Sequence, residues 1–122
     1  MKATDLLEVV VMLKMVIRMN QNKIIIEKKY KLEGIYSTID NAFIQMGFPR
    51  QASEKDTLIY CDNGSARDYG RFGRIVNTLK RQTWFIENVE EWNLYESDDM
   101  DNPNDITVED LLAHYRKKAL RV

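Results

Sequence analysis

The most regular alternation of apolar and polar positions lies between residues 66 and 82. Arginines recur there at one-turn intervals, and apolar side chains fill the other side of a 3.6-residue period. The charged side carries Arg67, Arg71, Arg74 and Arg81. The apolar side carries Tyr69, Phe72, Ile75, Val76 and Leu79. The pattern predicts an amphipathic helix over 66–82 with one buried face and one charged face.

Residues 6–19 form the most apolar run of the chain and are interrupted by Glu8, Lys14 and Arg18. With Thr4 or Asp5 as a cap, the run predicts a first helix that ends at about Met19. Its polar side is narrow, so the helix must be buried on most sides. The burying surface is either the core of the same chain or the same helix of a second copy. Residues 6–19 are therefore a candidate homodimer seam.

A strand is the competing prediction for this run, because Val9, Val10 and Val11 are β-branched. In that case residues 9–19 and 23–32 would form a hairpin. Residues 23–32 are predicted as a strand in either case, with a charged face turned towards water.

The remaining segments predict two further helices, a strand and one ambiguous segment. A short helix is predicted to begin at Ser37 or Thr38 and to stop at Gly47, and residues 57–62 are predicted as a strand. Residues 84–95 fit both a helix and a strand, and we favour the helix. Thr107 is the predicted cap of a last helix.

These elements predict an α+β fold, with four or five helices packed on a small sheet of two or three strands. The sheet includes residues 23–32 and 57–62. At 122 residues, the chain is predicted to be a single domain, 1–122, with an acidic loop at about 96–106.

Composition indicates in which cellular compartment the protein is expected. Its one cysteine, Cys61, cannot form an internal disulfide, which fits a reducing cytoplasm. The apolar run over 6–19 is too short and too charged to span a bilayer or to act as a secretory signal. We therefore expect a cytoplasmic protein without a membrane partner.

Charge is divided unevenly along the chain. Residues 1–81 hold 14 Lys/Arg against 9 Asp/Glu, whereas residues 82–122 hold 4 against 10. The two parts either pair internally or present two surfaces of opposite sign.

The acidic C-terminal third carries aromatic side chains among its carboxylates. Aromatic anchors and negative charge together suit a basic protein partner. The leading hypothesis is therefore a small non-enzymatic interaction protein of the inhibitor, immunity or regulator type. Its predicted contact residues are Trp92, Tyr95, Asp98, Asp99 and Asp101. The alternative interpretation is a solvated loop beside core tryptophans.

The arginine stripe supports a second hypothesis, a nucleic-acid-binding regulator. Guanidinium groups form forked hydrogen bonds to phosphate, and Arg67, Arg71, Arg74 and Arg81 are spaced to follow a phosphate backbone. Two ordinary explanations compete with it. The stripe could be the solvated back of a helix, or it could dock the acidic third of the same chain. The near-zero net charge of −1 also disfavours a dedicated nucleic-acid binder.

Residues 99–110 resemble part of an EF-hand calcium loop. Asp99, Asp101 and Asp110 fall at positions 1, 3 and 12, where this family places side-chain ligands. The resemblance implies a Ca²⁺ site flanked by helices over about residues 85–118. Pro103 and Asn104 depart from the pattern at positions 5 and 6. A loop that only caps the last helix is the favoured alternative.

An enzyme is the third hypothesis. No nucleotide-binding loop, nucleophile elbow or HExxH zinc motif occurs in the sequence. Cys61 lies in an apolar strand pattern, where an inert buried thiol is expected. His114 is expected at the rim of the last helix. We predict no cofactor.

Overall fold

The computed structural model describes residues 12–51, 56–98 and 102–119. In these residues four strands form one antiparallel sheet in the order β2-β1-β3-β4. The strands are β1 (Leu13–Met19), β2 (Thr57–Cys61), β3 (Val89–Glu96) and β4 (Thr107–Asp110).

Five helices connect or follow the strands within the described ranges. They are α1 (Gln21–Glu27), α2 (Leu32–Ile44), α3 (Asp68–Leu79), α4 (Thr83–Ile86) and α5 (Leu111–Ala119). A single 3-10 turn at Pro103–Asp105 precedes β4. The fold is thus α+β, as predicted, with four strands where two or three were expected.

Burial alternates along β1 and places the helices on one face of the sheet. Leu13, Met15, Ile17 and Met19 are each at most 3 % exposed and belong to one hydrophobic cluster. Because successive side chains of a strand point to opposite faces, these four side chains share one face. The same cluster contains buried side chains from all five helices: Ile24, Ile35, Ile39, Phe43, Phe72, Ile75, Val76, Leu79, Phe85 and Leu111.

Aromatic rings fill the centre of this core. Phe43 of α2 stacks on Tyr60 of β2 with 3.7 Å between ring centroids and 2° between planes. Phe85 of α4 meets Trp92 of β3 edge-on at 4.8 Å. Each pair joins a helix to a strand, and such contacts add to the free energy of burial.

The strand alternative for the first apolar run is confirmed over Leu13–Met19, and the helix favoured there is wrong. In the strand, the period of two places Lys14 and Arg18 together on the face away from the core. β1 pairs with β2 and β3, not with residues 23–32. Since β1 is central in the sheet, its described residues form no helical dimer seam. Residues 6–11 of that predicted seam lie outside the described residues.

The strand predicted over 23–32 is wrong. The side chain of Asn20 accepts a hydrogen bond from the Lys23 backbone N–H at 3.1 Å, so a helix begins there. Lys28 adopts φ +58° and ends α1, and α2 begins at Leu32 rather than at Ser37. The apolar residues of this segment therefore follow a helical turn.

The helix favoured over 84–95 is also wrong beyond its first turn. α4 ends at Ile86, and β3 follows from Val89. Thr107 begins β4, not the last helix, which starts at Leu111. β3 and β4 pair as a hairpin, and this long-range pairing is not encoded in local helix propensity.

Two elements and the end of one helix were predicted well. The strand over 57–62 appears as Thr57–Cys61, and the arginine helix appears as Asp68–Leu79. Gly47, with φ +93°, follows the end of α2 as its sequence suggested. No helix in the described ranges has the length and apolar character needed to cross a membrane.

Candidate functional site

The loop between β2 and α3 is built around two buried carboxylates. Oδ1 of Asp62 accepts backbone N–H groups of Met12 at 2.8 Å and Leu13 at 3.2 Å. The Asp62 N–H donates in return to the Leu13 carbonyl at 3.1 Å. These bonds hold the loop against the beginning of β1.

Asp68 organises the other half of this loop. Its Oδ2 accepts the backbone N–H groups of Asn63 at 2.7 Å and Ser65 at 3.1 Å. Its Oδ1 pairs with the Arg71 guanidinium at 3.3 Å. Asp68 is fully buried, so its hydrogen bonds to the backbone have little competition from water, whereas the Arg71 side chain is 38 % exposed. The loop is therefore a fixed wall beside α3.

A cavity of about 390 Å³ opens next to this wall. Its lining includes Met12, Leu13, Tyr69, Glu96 and Asp98. Its volume is within the range of ordinary ligand pockets.

A second cavity, of about 220 Å³, lies between α3, the β3–β4 hairpin and α5. Phe72, Leu94 and Tyr115 give it apolar walls, and Glu109 adds a carboxylate. Tyr69 lines both cavities and is 60 % exposed. We call the two cavities together the Tyr69 groove.

The groove is negatively charged. Glu96 and Asp98 line its first cavity, and Glu109 lines its second. None of the ion pairs between described residues involves these three carboxylates. The Lys80 ammonium lies 5.3 Å from the centroid of the Tyr115 ring. The groove thus combines unpaired negative charge with aromatic surface, a combination that binds cations.

The predicted partner contacts lie in different environments. Trp92 is fully buried, and its indole N–H donates to the Met15 sulfur at 3.4 Å. It is a core residue and presents no surface to a partner, which corrects its assignment as an anchor. Tyr95 lies on the sheet face away from the helices, 4.7 Å below the Lys14 ammonium. Asp98 lines the groove, whereas Asp99 and Asp101 lie outside the described residues.

Three groove residues were not chosen from the sequence. Tyr69 was placed on the apolar side of α3, but the loop wall leaves its ring uncovered. Glu96 and Glu109 belong to the acidic segment, yet only the β3–β4 pairing brings them together. Glu109 lies opposite Leu94, and Glu96 lies opposite Thr107. The alternation of apolar and polar residues along β3 was the one signal in the sequence that these side chains share a face of the sheet.

The arginine stripe keeps its predicted helix but faces away from the groove. Tyr69 and Gly73 lie roughly 120–160° around the helix from the stripe. Arg67 and Arg74 are exposed, Arg71 pairs with Asp68, and Arg81 follows the end of α3.

The two oppositely charged parts of the chain meet elsewhere. Arg18 on β1 lies 3.7 Å from Glu90 and 3.6 Å from Glu91 on β3. Within the described ranges, no stripe arginine pairs with the acidic third. Docking of the acidic segment onto the stripe is therefore not the arrangement of the described residues.

The EF-hand context is also not reproduced. The segment before the loop ends in strand β3, and residues 107–110 form β4 instead of entering a helix. Oδ1 of Asp110 accepts the Ala113 backbone N–H at 2.9 Å, so this side chain caps α5. The described residues contain no group of three or more His, Cys, Asp or Glu side chains arranged to hold a metal ion.

Cys61 and His114 do not form a nucleophile pair. Cys61 ends the edge strand β2, whereas His114 lies on α5, which packs against β3. In the sheet, β1 lies between β2 and β3. Burial raises the pKa of the Cys61 thiol, and nearby Asp62 adds to that rise against the opposing effect of Lys14. The thiol is therefore held in its unreactive protonated form at neutral pH.

Comparisons of the chain with models of protein families, with curated proteins and with solved structures found no match.

Proposed function

We propose that this chain is a non-enzymatic interaction protein that binds a basic protein partner through the Tyr69 groove. The observation that carries the proposal is a set of groove carboxylates that form no ion pair with any described residue, Glu96, Asp98 and Glu109, beside the exposed ring of Tyr69. An inhibitor, immunity protein or regulator would use such a surface.

The groove chemistry favours lysine or arginine side chains as its occupants. A carboxylate forms charge-assisted hydrogen bonds with either cation, and a tyrosine face attracts it further. Apolar walls from Phe72 and Leu94 suit the methylene stem behind the charged head. Unpaired negative charge also raises the rate at which a basic partner associates.

The two-cavity shape supports a segment of polypeptide as the ligand. Each cavity has room for a partner side chain, and the exposed Tyr69 lines both. A partner segment that placed one basic side chain on each side of Tyr69 would fill both. The predicted contacts Asp99 and Asp101 follow Asp98 in sequence and remain predictions of the same surface.

Titration with a synthetic peptide rich in lysine and arginine tests the proposal. The triple variant Glu96→Gln, Asp98→Asn and Glu109→Gln keeps side-chain size and removes three charges. We expect it to bind the peptide about tenfold or more weakly than the wild type.

Exposed carboxylates outside the groove provide the matched control. The variant Glu27→Gln, Glu33→Gln and Glu87→Gln removes the same number of charges and should retain most of the affinity. Equal affinity of the groove variant and the wild type would refute the proposal. An equal loss in the control variant would show that only net charge matters, which also contradicts a groove site.

Nucleic-acid binding by the arginine stripe is the second candidate. It is supported by the exposure of Arg67, Arg74 and Arg81, none of which has an ion pair among the described residues. Affinity for DNA or RNA should then fall steeply as salt rises. Replacing these arginines by alanine should flatten that dependence, and an unchanged slope would remove this candidate.

A further inference from the structure

The corner formed by α1 exposes two consecutive isoleucines. Ile26 is 76 % exposed and Ile25 is 57 % exposed, whereas only Ile24 of this triplet enters the core. The surface of a water-soluble protein normally contains scattered apolar side chains. Adjacent protruding isoleucines instead form a patch that a partner normally covers.

The corner is held rigidly against the rest of the fold. The backbone N–H of Asn20 donates to the Asn88 carbonyl at 2.7 Å. The Lys23 ammonium donates to the Glu87 carbonyl. At the other end of α1, the Lys28 N–H donates to the Ile24 carbonyl at 3.2 Å. The isoleucines therefore protrude from a fixed helical turn.

Lysines flank the isoleucines in the sequence. Residues 21–31 contain four lysines and a single acidic residue, Glu27. The lysines are Lys23, Lys28, Lys29 and Lys31. Basic side chains beside a small apolar patch are typical of surfaces that bind anionic lipid bilayers.

A cavity of about 370 Å³ lies beside the same corner. Lys29 and Lys31 supply positive charge to its lining, and Tyr30 and Trp84 supply aromatic rings. Tyrosine and tryptophan are enriched at membrane interfaces, since one part of each ring system is apolar and the other forms hydrogen bonds. The cavity has the chemistry to hold an anionic lipid headgroup.

We propose that this corner binds the surface of an anionic bilayer. Ile25 and Ile26 enter the boundary between headgroups and acyl chains. The lysines contact lipid phosphates, and a headgroup occupies the cavity beside Trp84. Such binding lies at the surface and needs no membrane-crossing helix. It runs against the expectation from the sequence of no membrane partner, which considered only a membrane-spanning segment and a secretory signal.

The position of the corner relative to the Tyr69 groove supports this assignment. The groove lies at the Met12 end of β1, and α1 follows Met19 at the other end. At about 3.3 Å per residue, β1 separates them by roughly 20 Å. This exceeds the screening length of about 8 Å at physiological salt. An anionic bilayer bound at α1 would therefore repel the acidic groove only weakly and would leave it accessible.

A second copy of the chain fits the corner less well. In a two-fold dimer the same patch faces itself, so the lysines of one copy would face those of the other. Three exposed apolar side chains, Ile25, Ile26 and Tyr30, also supply little area for a stable dimer interface.

Co-sedimentation with vesicles tests the proposal. Vesicles of phosphatidylcholine containing phosphatidylserine should bind the protein, and vesicles of phosphatidylcholine alone should bind it much more weakly. The variant Ile25→Ser with Ile26→Ser should bind the anionic vesicles about tenfold or more weakly. Replacing Lys28, Lys29 and Lys31 by glutamine should weaken binding by roughly a hundredfold.

Matched variants on other surfaces provide the controls. Ile44→Ser with Val108→Ser removes two apolar side chains of similar exposure, 53 % and 54 %. Arg67→Gln with Arg74→Gln and Arg81→Gln removes three positive charges from the arginine stripe, as many as the lysine variant removes from the corner. Both controls should retain wild-type vesicle binding.

Three outcomes would overturn the proposal. They are equal binding of the wild type to neutral and anionic vesicles, full binding by the isoleucine variant, and an equal loss in the control variants. If the wild type is a dimer and the isoleucine variant is a monomer, and both bind vesicles equally, the corner would be assigned to self-association instead. Because these residues lie outside the Tyr69 groove, peptide binding should be unchanged in every variant of the corner.

Discussion

The hydroxyl of Tyr60 on β2 donates a hydrogen bond to the carboxylate of Asp40 on α2. Tyr60 is fully buried, and Asp40 also lies 3.7 Å from the Arg50 guanidinium. Desolvation raises the pKa of the Tyr60 phenol well above its usual value, and the bond to Asp40 and its negative charge raise it further. The folded protein thus favours the neutral phenol.

This bond predicts a loss of stability at alkaline pH. The pKa of Tyr60 is higher in the folded than in the unfolded state, so its contribution is complete below the unfolded value of about 10. Above that pH, the free energy of unfolding should fall by up to about 1.4 kcal/mol per pH unit. Urea unfolding between neutral pH and pH 11.5 measures this slope.

The Tyr60→Phe variant provides the comparison. It should be less stable at neutral pH by about 1 kcal/mol, because the hydrogen bond is lost. It should also lose less stability than the wild type as the pH rises. Burial raises the pKa of the neighbouring Cys61 thiol too, so both proteins should carry Cys61→Ser. Parallel alkaline slopes would contradict this role of Tyr60.

Asp68 should stabilise the loop wall more through backbone hydrogen bonds than through its ion pair. Asp68→Ala leaves the N–H groups of Asn63 and Ser65 without their acceptor and should cost about 2 kcal/mol in unfolding free energy. Arg71→Ala removes only a guanidinium that is 38 % exposed and should cost less than about 1 kcal/mol. Chemical denaturation of the two variants measures the difference, and equal losses would show that the ion pair dominates.

Two glycines should respond to alanine in opposite directions. Gly47 has φ +93°, which a side chain adopts at a cost, so Gly47→Ala should destabilise the protein by about 1–2 kcal/mol. Gly70 lies in α3, and a Cβ there would meet no atom within 4 Å. Gly70→Ala should stabilise the protein by about 0.5–1 kcal/mol, because alanine loses less backbone entropy in a helix. Melting temperatures of the two variants should shift in opposite directions.

The segments predicted well from the sequence are those in which a single local signal decides the structure. In α3 the charged and apolar sides are separated by the helical period, and no neighbouring segment alters that pattern. In β2 the alternation of buried Leu58 and Tyr60 is short but regular. Gly47 marks the end of α2 because its backbone conformation suits glycine.

The errors occurred where two periods fit the same residues. Leu13, Ile17 and their neighbours suit an apolar helix and a central strand equally well, and pairing with β2 and β3 decides for the strand. The isoleucines of α1 resembled a strand, although only Ile24 is buried. Local propensity contains no information on these distant partners.

The candidate groove was the least accessible to sequence reasoning. The negative charge of the C-terminal third was evident, but Tyr69 comes from α3 and Glu109 from β4. Their proximity depends on the hairpin pairing and on the wall that Asp68 fixes. Trp92 illustrates the opposite case, since an aromatic side chain among carboxylates was read as surface and is instead central to the core.

Trp92 and Tyr69 should therefore separate stability from binding. Trp92→Phe removes part of a fully buried ring and its contact with Met15, so it should lower the unfolding free energy by about 1–3 kcal/mol. Where the variant is folded, its affinity for a basic peptide should equal that of the wild type.

Tyr69→Ala should change stability by less than about 0.5 kcal/mol, because the side chain is largely exposed. The same change should weaken peptide binding several-fold, because the aromatic surface between the two cavities is lost. Denaturation curves and peptide titrations on both variants give the four values, and a Tyr69→Ala variant with wild-type affinity would count against the groove as the binding site.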